Sequence, residues 1–407
     1  MVKLRKCCAV LMLTFGFSQA AFASVIDGIF IFGDSLSDSG AFVGNVDAGA
    51  GGKFTTNPGP VWTETLGAHY GLSVVANNPN NSNTSATGNN YAQGGAQVTN
   101  PIGIGQTASP QSALPISTQV DNYLISSPLA SGTGLYTVWG GANDLFYNLG
   151  LIGAGAITPT TAGANLFTSA SSLVGQAQRL VDAGAGTVLI PNLPDIGTTP
   201  STIFSAISAV GAGNTNTELQ NALVAATLAL RTAANTPAEQ AAVKVAAIAA
   251  AAGVLGVSDV VLQAAVDQTG MLFSGLTAAY NGALTSLLTG LPTNVVLLDV
   301  ASLFSDVLAD PSVYGLANVT GTACNTSSSL SCTAPFFAAE TAFFDFLFAD
   351  AVHPTAEGHA LIAGLAITTL NAHFGIPEPS VVILLLLGFF VMVWVKKRMP
   401  QHLRVKD

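Results

Sequence analysis

The segment Phe32-Gly33-Asp34-Ser35-Leu36-Ser37-Asp38 places the strongest constraint on what this chain can fold into. Its first residue, Phe32, is the last of a hydrophobic run, 29–32, which predicts a short buried strand. The run stops at Gly33, and a serine then follows between two acids. An α/β fold presents reactive side chains at such a place, the carboxyl end of a strand. An ordinary turn rich in Gly, Asp and Ser is the alternative for these residues alone.

A histidine segment near the other end of the chain offers the groups that a reactive serine needs. Asp350 and His353 stand three residues apart after the largely apolar run 343–349. A serine nucleophile requires a base to take its proton, and the base requires an orienting group. Pro354 favours an extended conformation at His353 and predicts a helix over 355–370. The simpler alternative is an Asp and a His that cap this helix.

Two glycine-rich segments lie between the serine and the histidine. One is Asn90-Tyr91-Ala92-Gln93-Gly94-Gly95-Ala96, and the other is Gly140-Gly141-Ala142-Asn143-Asp144, which follows a strand-like run at 136–139. An oxyanion is stabilised by exposed backbone N–H groups and often by a side-chain amide, which Asn143 offers. Taken alone, each segment also fits a left-handed turn.

In this order the four segments resemble the blocks of the GDSL (SGNH) hydrolases, and the lipase/acylhydrolase branch in particular. Residues 192–197, 280–281 and 314–318 add family-like phrases, so that the resemblance covers about residues 28–373. It implies a three-layer α/β/α, flavodoxin-like fold with a central, mainly parallel sheet. It also implies ester hydrolysis with neither a metal nor an organic cofactor.

The resemblance implies a role for each site residue. Ser35 is expected to be the nucleophile, His353 the general base and Asp350 the group that orients His353. The expected oxyanion donors are the backbone N–H of Ser35, the backbone N–H of Gly95, with Gly94 as the alternative, and the side chain of Asn143.

Three further acids, Asp34, Asp38 and Asp144, stand beside these segments and are expected to order loops rather than to react. The serine does not stand in a Gly-x-Ser-x-Gly sequence, which disfavours the α/β-hydrolase fold.

The start of the chain predicts export. Three basic residues within 1–6, an apolar stretch at 7–17 and Ala21-Phe22-Ala23 predict a signal peptide over 1–23 that is removed by signal peptidase. The hydrolase domain is expected over 24–376.

The end of the chain resembles a PEP-CTERM sorting signal. Pro377-Glu378-Pro379 precedes the apolar run 381–395 and the basic residues 396–398. The signal, which includes a transmembrane helix, is assigned to 377–398. Residues 399–407 are assigned to a cytoplasmic tail. The tail departs from such signals, which usually end soon after the basic residues. A plain hydrophobic anchor is the alternative.

That resemblance implies a Gram-negative bacterium and an exosortase-like peptidase as a processing partner. The expected course is transient anchoring in the inner membrane, followed by release to the cell surface or the medium.

The charge of the expected domain excludes some partners. Residues 24–376 contain four basic and 20 acidic residues, a difference of −16. Nucleic acid binding needs cations that neutralise phosphates, so no nucleic acid partner is expected. The balance also argues against strong attraction to anionic lipid surfaces.

The two cysteines outside the signal peptide, Cys324 and Cys332, flank a polar loop. In an exported protein this pattern predicts a disulfide. A metal site is disfavoured because no His or further Cys lies nearby.

Three biased stretches interrupt the domain. Residues 77–90 and 152–164 read as surface loops, and the Ala-rich stretch 222–252 predicts two helices that meet near Pro237. These helices are interpreted as an outer helical layer, with a lid over the site as the alternative.

Three functions fit this sequence. The preferred one is an exported serine esterase or lipase-like acylhydrolase that acts on a small-molecule or lipid ester. The alternatives are a carbohydrate esterase that deacetylates matrix polysaccharide and a non-catalytic surface matrix protein on a hydrolase scaffold.

Overall fold

Short apolar runs of the chain form a parallel sheet. The computed structural model describes residues 26–43, 52–78, 87–104, 113–339 and 342–376. Its strands are β1 Gly28–Gly33, β2 Gly134–Trp139, β3 Thr187–Pro191, β4 Val295–Leu298, β5 Asn318–Thr322 and β6 Phe346–Phe348. Strands β1 to β4 lie side by side in chain order, and each pairing is parallel. This confirms the predicted α/β class with a parallel central sheet.

Helices fill the connections between the strands. They are α1 Trp62–His69, α2 Ile116–Ser126, α3 Ala142–Gly153, α4 Pro159–Asp182, α5 Pro200–Val210, α6 Asn216–Leu230, α7 Pro237–Leu255, α8 Asp259–Leu288, α9 Val300–Ala309, α10 Ala342–Asp345 and α11 Ala356–His373. Short 3-10 helices lie at Ile196–Thr198, Gly211–Gly213, Pro311–Tyr314, Ser329–Ser331 and Ala334–Phe336. The predicted helix over 355–370 is confirmed as α11.

Helices cover both faces of the sheet. Every residue of β2 and β3 is buried, as is typical of parallel strands with two covered faces. On one face Phe30 packs on Tyr123 of α2, with ring centroids 4.9 Å apart. On the other face Trp139 meets Trp62 of α1 edge to face at 5.7 Å. The sheet therefore lies between two helical layers.

The Ala-rich stretch forms two helices, as predicted. Helix α6 ends at Leu230, and α7 begins at Pro237, where Thr236 and Glu239 form a capping box. Neither of these described helices lines the cavity beside Ser35. The arrangement supports the helical layer rather than the lid.

Among the helices of the described residues, α7 alone has the length and the apolar composition that crossing a membrane requires. Its buried apolar residues belong to a hydrophobic cluster with residues of α5, α6 and α8, among them Ile207, Ala226 and Leu262. We therefore interpret α7 as a core helix of this layer.

The prediction of a surface loop over 152–164 is wrong for most of its length. Helix α3 continues to Gly153, and α4 begins at Pro159, where Thr158 Oγ1 accepts a hydrogen bond from the N–H of Thr161. The first turns of α4 bury Ala162 and Leu166. Periodic burial and a helix cap thus outweigh the Gly/Ala/Thr-rich composition.

A second sheet was not predicted from the sequence. Strands β5 and β6 pair in parallel and form a separate two-stranded sheet. The register shifts between Asn318 and Thr322, where the pairing is irregular. Strand β6 matters for the site because the histidine segment follows it directly.

The chain divides into two compact units, residues 1–366 and 367–407. The first contains the sheets and all helices up to α11. Of the second, the structure describes residues 367–376, which include the end of α11. The predicted signal peptide at 1–23 and the predicted sorting signal and tail at 377–407 lie outside the described residues, so these boundaries stay predictions.

The helical layer should contribute to stability through its buried leucines. We predict that Leu262→Ala lowers the free energy of unfolding by about 2–5 kcal/mol, because Leu262 is fully buried and its removal leaves a cavity. Val260→Ala on the same helix should change it by less than about 0.5 kcal/mol, because Val260 is 78% exposed. Urea unfolding of both variants measures this, and equal midpoints would contradict the assigned core.

Candidate active site

Ser35 stands in a tight turn directly after β1. Gly33 ends the strand, and a Cβ there would lie 2.6 Å from the carbonyl oxygen of Trp139, so the approach of β1 to β2 requires glycine. Gln119 of α2 fixes Gly33 further, because its side chain donates to the Gly33 carbonyl and accepts from the Gly33 N–H. Asp34 Oδ1 then accepts the N–H of Leu36 and closes the turn around the serine.

His353 and Asp350 lie in line with this serine. The Nε2 atom of His353 is 2.8 Å from Ser35 Oγ, and its Nδ1 atom is 2.9 Å from both carboxylate oxygens of Asp350. An ionised carboxylate only accepts hydrogen bonds, so Nδ1 carries the proton. Nε2 is thereby left to accept the proton of the serine hydroxyl.

Asp350 is held in its ionised form by the groups around it. Burial raises the pKa of this carboxyl, but the nearby His353 and several hydrogen bonds lower it further, to well below its ordinary value. Oδ1 accepts the N–H groups of Val352 and His353, and Oδ2 accepts the N–H of Ser329 at 2.7 Å. Asp345, another acid of the same segment, lies in α10, and the imidazole bonds to Asp350.

The expected oxyanion donors face the same cavity as the serine. Ser35, Gly94, Gly95 and Asn143 all line it. The N–H of Gly94 donates to Asp38 Oδ2, whereas the N–H of Gly95 has no hydrogen-bond partner in the described residues. The geometry therefore favours Gly95 over Gly94.

The side-chain amide of Asn143 has a defined position. Its Nδ2 donates to the carbonyl oxygen of Ala96 at 3.0 Å and makes a longer contact of 3.4 Å with Asp34 Oδ2. One N–H is thus well bonded and the other only loosely. The loosely bonded N–H is the one available to a further acceptor in the cavity.

The three neighbouring acids order loops, as predicted. Asp34 and Asp38 accept backbone N–H groups of the turn after β1, and Asp144 accepts the N–H of Val98. Burial raises the pKa of Asp34 to about 7 and that of Asp38 to about 6, and it also raises the pKa of Asp144. Among the described residues, the imidazole of His353 forms hydrogen bonds with Asp350 and Ser35 and with none of these three acids.

A cavity of about 380 Å³ opens beside Ser35. Its described lining contains no Asp, Glu, Lys or Arg. Ser35, Asn143, His353 and Ser328 are its polar side chains, and the rest of the wall is apolar. The apolar side chains of the wall are Leu36, Phe54, Ile104, Trp139, Ala142, Phe146, Pro194, Ile196, Phe304, Leu330, Val352, Pro354 and Ile362.

Two contacts at the site escaped the sequence-based prediction. The ring of Phe54 lies 4.9 Å from that of His353, centroid to centroid, and limits where the imidazole can move. The N–H of Ser329 reaches Asp350 from a distant loop. No local pattern marks either residue, because both act through contacts between remote parts of the chain.

The loop that carries Ser329 is closed by the predicted disulfide. Cys324 and Cys332 are bonded, which confirms the pairing. Asn57 donates from its side chain to the carbonyl oxygen of Ser329 and from its backbone to that of Cys332. Arg231 donates to the carbonyl oxygen of Cys324. The disulfide loop is therefore fixed on two sides.

Among the described residues, no group of three or more His, Cys, Asp or Glu side chains is placed to hold a metal ion.

Comparison with known proteins identifies relatives over most of the chain. Residues 29–365 match the family described as GDSL-like lipase/acylhydrolase. The chain is 27% identical over 385 residues to Lipase 1 of Photorhabdus luminescens, which covers 89% of this chain and 53% of that protein. It is 29% identical over 380 residues to a Pseudomonas putida protein named "Uncharacterized protein in trpE-trpG intergenic region", which covers 87% of this chain and 50% of that protein. The chain thus spans about half the length of these curated relatives.

The disulfide loop gives a stability prediction. Replacing both Cys324 and Cys332 with Ala should lower the free energy of unfolding by about 2–4 kcal/mol, because the closed loop restricts the unfolded chain. Urea unfolding with and without dithiothreitol measures this. The reductant should weaken the wild type and leave the double variant unchanged, and an unchanged wild type would contradict the role of the disulfide.

Proposed function

Because the chain belongs to the GDSL-like lipase/acylhydrolase family, we propose that it hydrolyses carboxylic esters through Ser35, His353 and Asp350. The observation that carries this proposal is the continuous hydrogen-bonded chain from Ser35 Oγ through the imidazole to the Asp350 carboxylate, at the wall of a cavity. This is the arrangement that activates a serine hydroxyl. The name of the Photorhabdus luminescens relative, Lipase 1, agrees with it.

The geometry defines what each group would do. Ser35 Oγ attacks the ester carbonyl carbon while His353 Nε2 takes its proton. The protonated imidazole then gives this proton to the leaving alkoxide, and an acyl-serine remains. Water, deprotonated by His353, releases the acid in a second attack. Asp350 holds the imidazole in the tautomer that both steps require.

The oxyanion formed in both steps would be bound by three N–H donors. These are the backbone N–H groups of Ser35 and Gly95 and the amide of Asn143. No lysine or arginine lines the cavity among the described residues, so these dipoles would carry most of the stabilisation of the negative charge.

The wall of the cavity supports an ester with an apolar acyl chain. Apolar side chains such as Phe146, Phe304 and Ile362 can bury hydrocarbon, which is favourable in proportion to the area removed from water. An acetylated glycan would bring hydroxyl groups that need hydrogen-bond partners, and the described wall offers few of them. We therefore prefer an acyl ester of low polarity over a polysaccharide acetate.

We propose further that the protein is exported. The support is the sequence pattern at 1–23 and at 377–398, together with the disulfide between Cys324 and Cys332. In this proposal a signal peptidase removes the start of the chain. The apolar run at 381–395 then halts the protein in the inner membrane of a Gram-negative cell, and an exosortase-like peptidase releases it.

The catalytic proposal predicts the effect of single substitutions. Ser35→Ala should remove nearly all hydrolysis of p-nitrophenyl esters and all labelling by a fluorophosphonate, because the attacking oxygen is gone. Asp350→Asn should lower kcat by about 10⁴, because the histidine tautomer is no longer fixed. A chain-length series from acetate to decanoate, run beside acetylated xylan, locates the preferred substrate.

Thr215→Ala serves as the folded control, because Thr215 caps α6 and that helix does not line the cavity. Wild-type turnover in a folded Ser35→Ala variant would refute the catalytic assignment. A preference for acetylated xylan over every p-nitrophenyl ester would favour the deacetylase instead.

The export proposal predicts a processed chain in native cells. The intact mass should show loss of residues 1–23 and a new C-terminus near Pro377-Glu378-Pro379 in the released fraction. Basic residues at 396–398 should stay on the cytoplasmic side, because their transfer across the bilayer is costly. Chains that all end at Asp407 in the inner-membrane fraction would instead indicate a permanent anchor.

A further inference from the structure

The glycine loop, which we define as residues 94–98, is held at both ends by a buried carboxylate. Asp38 Oδ2 accepts the N–H of Gly94 at 2.9 Å. Asp144 Oδ2 accepts the N–H of Val98 at 3.0 Å. The two acids thus bind the two ends of the loop, and neither of them lines the cavity.

Each carboxylate also binds a second part of the site. Asp38 Oδ1 accepts the N–H groups of Gly40 and Ala41, in the segment that follows the reactive serine. Asp144 Oδ1 accepts the hydroxyl of Ser169 on α4. Asp38 therefore ties the glycine loop to the serine segment, and Asp144 ties it to α3 and α4.

Between these two anchors lies Gly95, which lines the cavity and offers it a backbone donor. Gly95 has a φ of +86°, which favours glycine, and its N–H has no partner among the described residues. The next residue, Ala96, accepts the Nδ2–H of Asn143. The loop thus sets the Gly95 donor and the Asn143 donor in one rigid arrangement.

We propose that Asp38 and Asp144 are positioning residues. They fix the positions of the oxyanion donors of Gly95, Asn143 and Ser35 relative to one another. This inference rests on the proposed ester hydrolysis and deepens it. The two acids touch no reacting atom. They act through the backbone of the glycine loop, whose ends they fix.

The physical reason is the steep distance dependence of oxyanion stabilisation. A donor contributes when it lies within about 2.7–3.1 Å of the oxyanion, and a shift of about 1 Å can cost about 10²-fold in rate. A five-residue loop rich in glycine has many accessible conformations when it is free. Two carboxylate anchors restrict it to the one in which the N–H of Gly95 remains available.

The two acids call for different substitutions. Both oxygens of Asp38 accept backbone N–H groups, so Asp38→Asn must face one of these donors with its own NH₂ group. In Asp144→Asn, the amide oxygen can still accept from Val98, while the NH₂ group donates to the Ser169 hydroxyl. Asp144→Ala loses both bonds.

We expect Asp38→Asn and Asp144→Ala to lower kcat by about 10- to 100-fold with KM within about twofold of wild type. Asp144→Asn should restore most of the turnover that Asp144→Ala loses. The affinity for a trifluoromethyl ketone, whose serine adduct carries the oxyanion, should fall by the same factor as kcat/KM. All variants are made in the full-length chain.

Two controls separate positioning from a loss of stability. Thr215→Ala removes a helix cap remote from the cavity, so it should lower the melting temperature and leave kcat and ketone affinity unchanged. Combining Asp144→Ala with Asn143→Ala should cost less than the product of the single effects, because both act on one oxyanion hole.

Retention of wild-type kcat and ketone affinity by folded Asp38→Asn and Asp144→Ala would overturn the inference, as would an effect on KM alone. The proposed function would survive that result, because Ser35→Ala tests it separately. If Asp38→Asn does not fold, the comparison of Asp144→Ala with Asp144→Asn decides, and equal turnover in these two variants would refute the positioning role.

Discussion

The parallel pairing of β1 with β2 is the interaction on which the site depends. In this register Gly33 lies opposite Trp139, so the two strands end at the same edge of the sheet. The chain continues from these ends into the turn of Ser35 and into α3 with Asn143. Parallel strands place their carboxyl ends together, and this edge is where α/β proteins collect reactive groups. The missing side chain at Gly33 lets the two ends come close enough.

The histidine reaches this edge from a different part of the fold. His353 follows β6 of the small second sheet, and the disulfide loop supports Asp350 through the N–H of Ser329. Asn57 joins the same loop to the region before α1, across 272 positions of sequence. The alignment of serine, histidine and aspartate is therefore a property of the whole fold, not of one motif.

The sequence predicts the parts of this structure that depend on local patterns. The strand before Ser35, the helix after His353, the helix break at Pro237 and the pairing of Cys324 with Cys332 are all confirmed. The roles of the site residues stay predictions, although the structure brings these residues together.

Of the features that the sequence did not predict, one has a local cause and the others follow from long-range packing. The Gly/Ala/Thr-rich composition of residues 152–164 predicted a loop, but a helix cap and periodic burial make α4 begin at Pro159. Strand β5, Asn318–Thr322, is polar and short, so it becomes a strand only beside β6. The contact of Phe54 with His353 likewise joins residues about 300 positions apart.

In this acidic chain, the buried carboxylates of the site are stabilised mainly by backbone N–H groups. Of the four cations within residues 24–376, Lys53 pairs with Glu64 and Arg179 with Asp121, both away from the cavity wall. Asp38, Asp144 and Asp350 instead accept backbone N–H groups, which carry partial rather than full positive charge.

This choice has a consequence for catalysis. A lysine or arginine beside the serine would also bind the carboxylate product, and slow release of that product would limit kcat. Fixed N–H dipoles already point to the place where the negative charge develops, because their positions are set before the reaction begins. The carboxylates that order the loops thus let the fold supply oriented dipoles without a lysine or arginine in the wall of the apolar cavity.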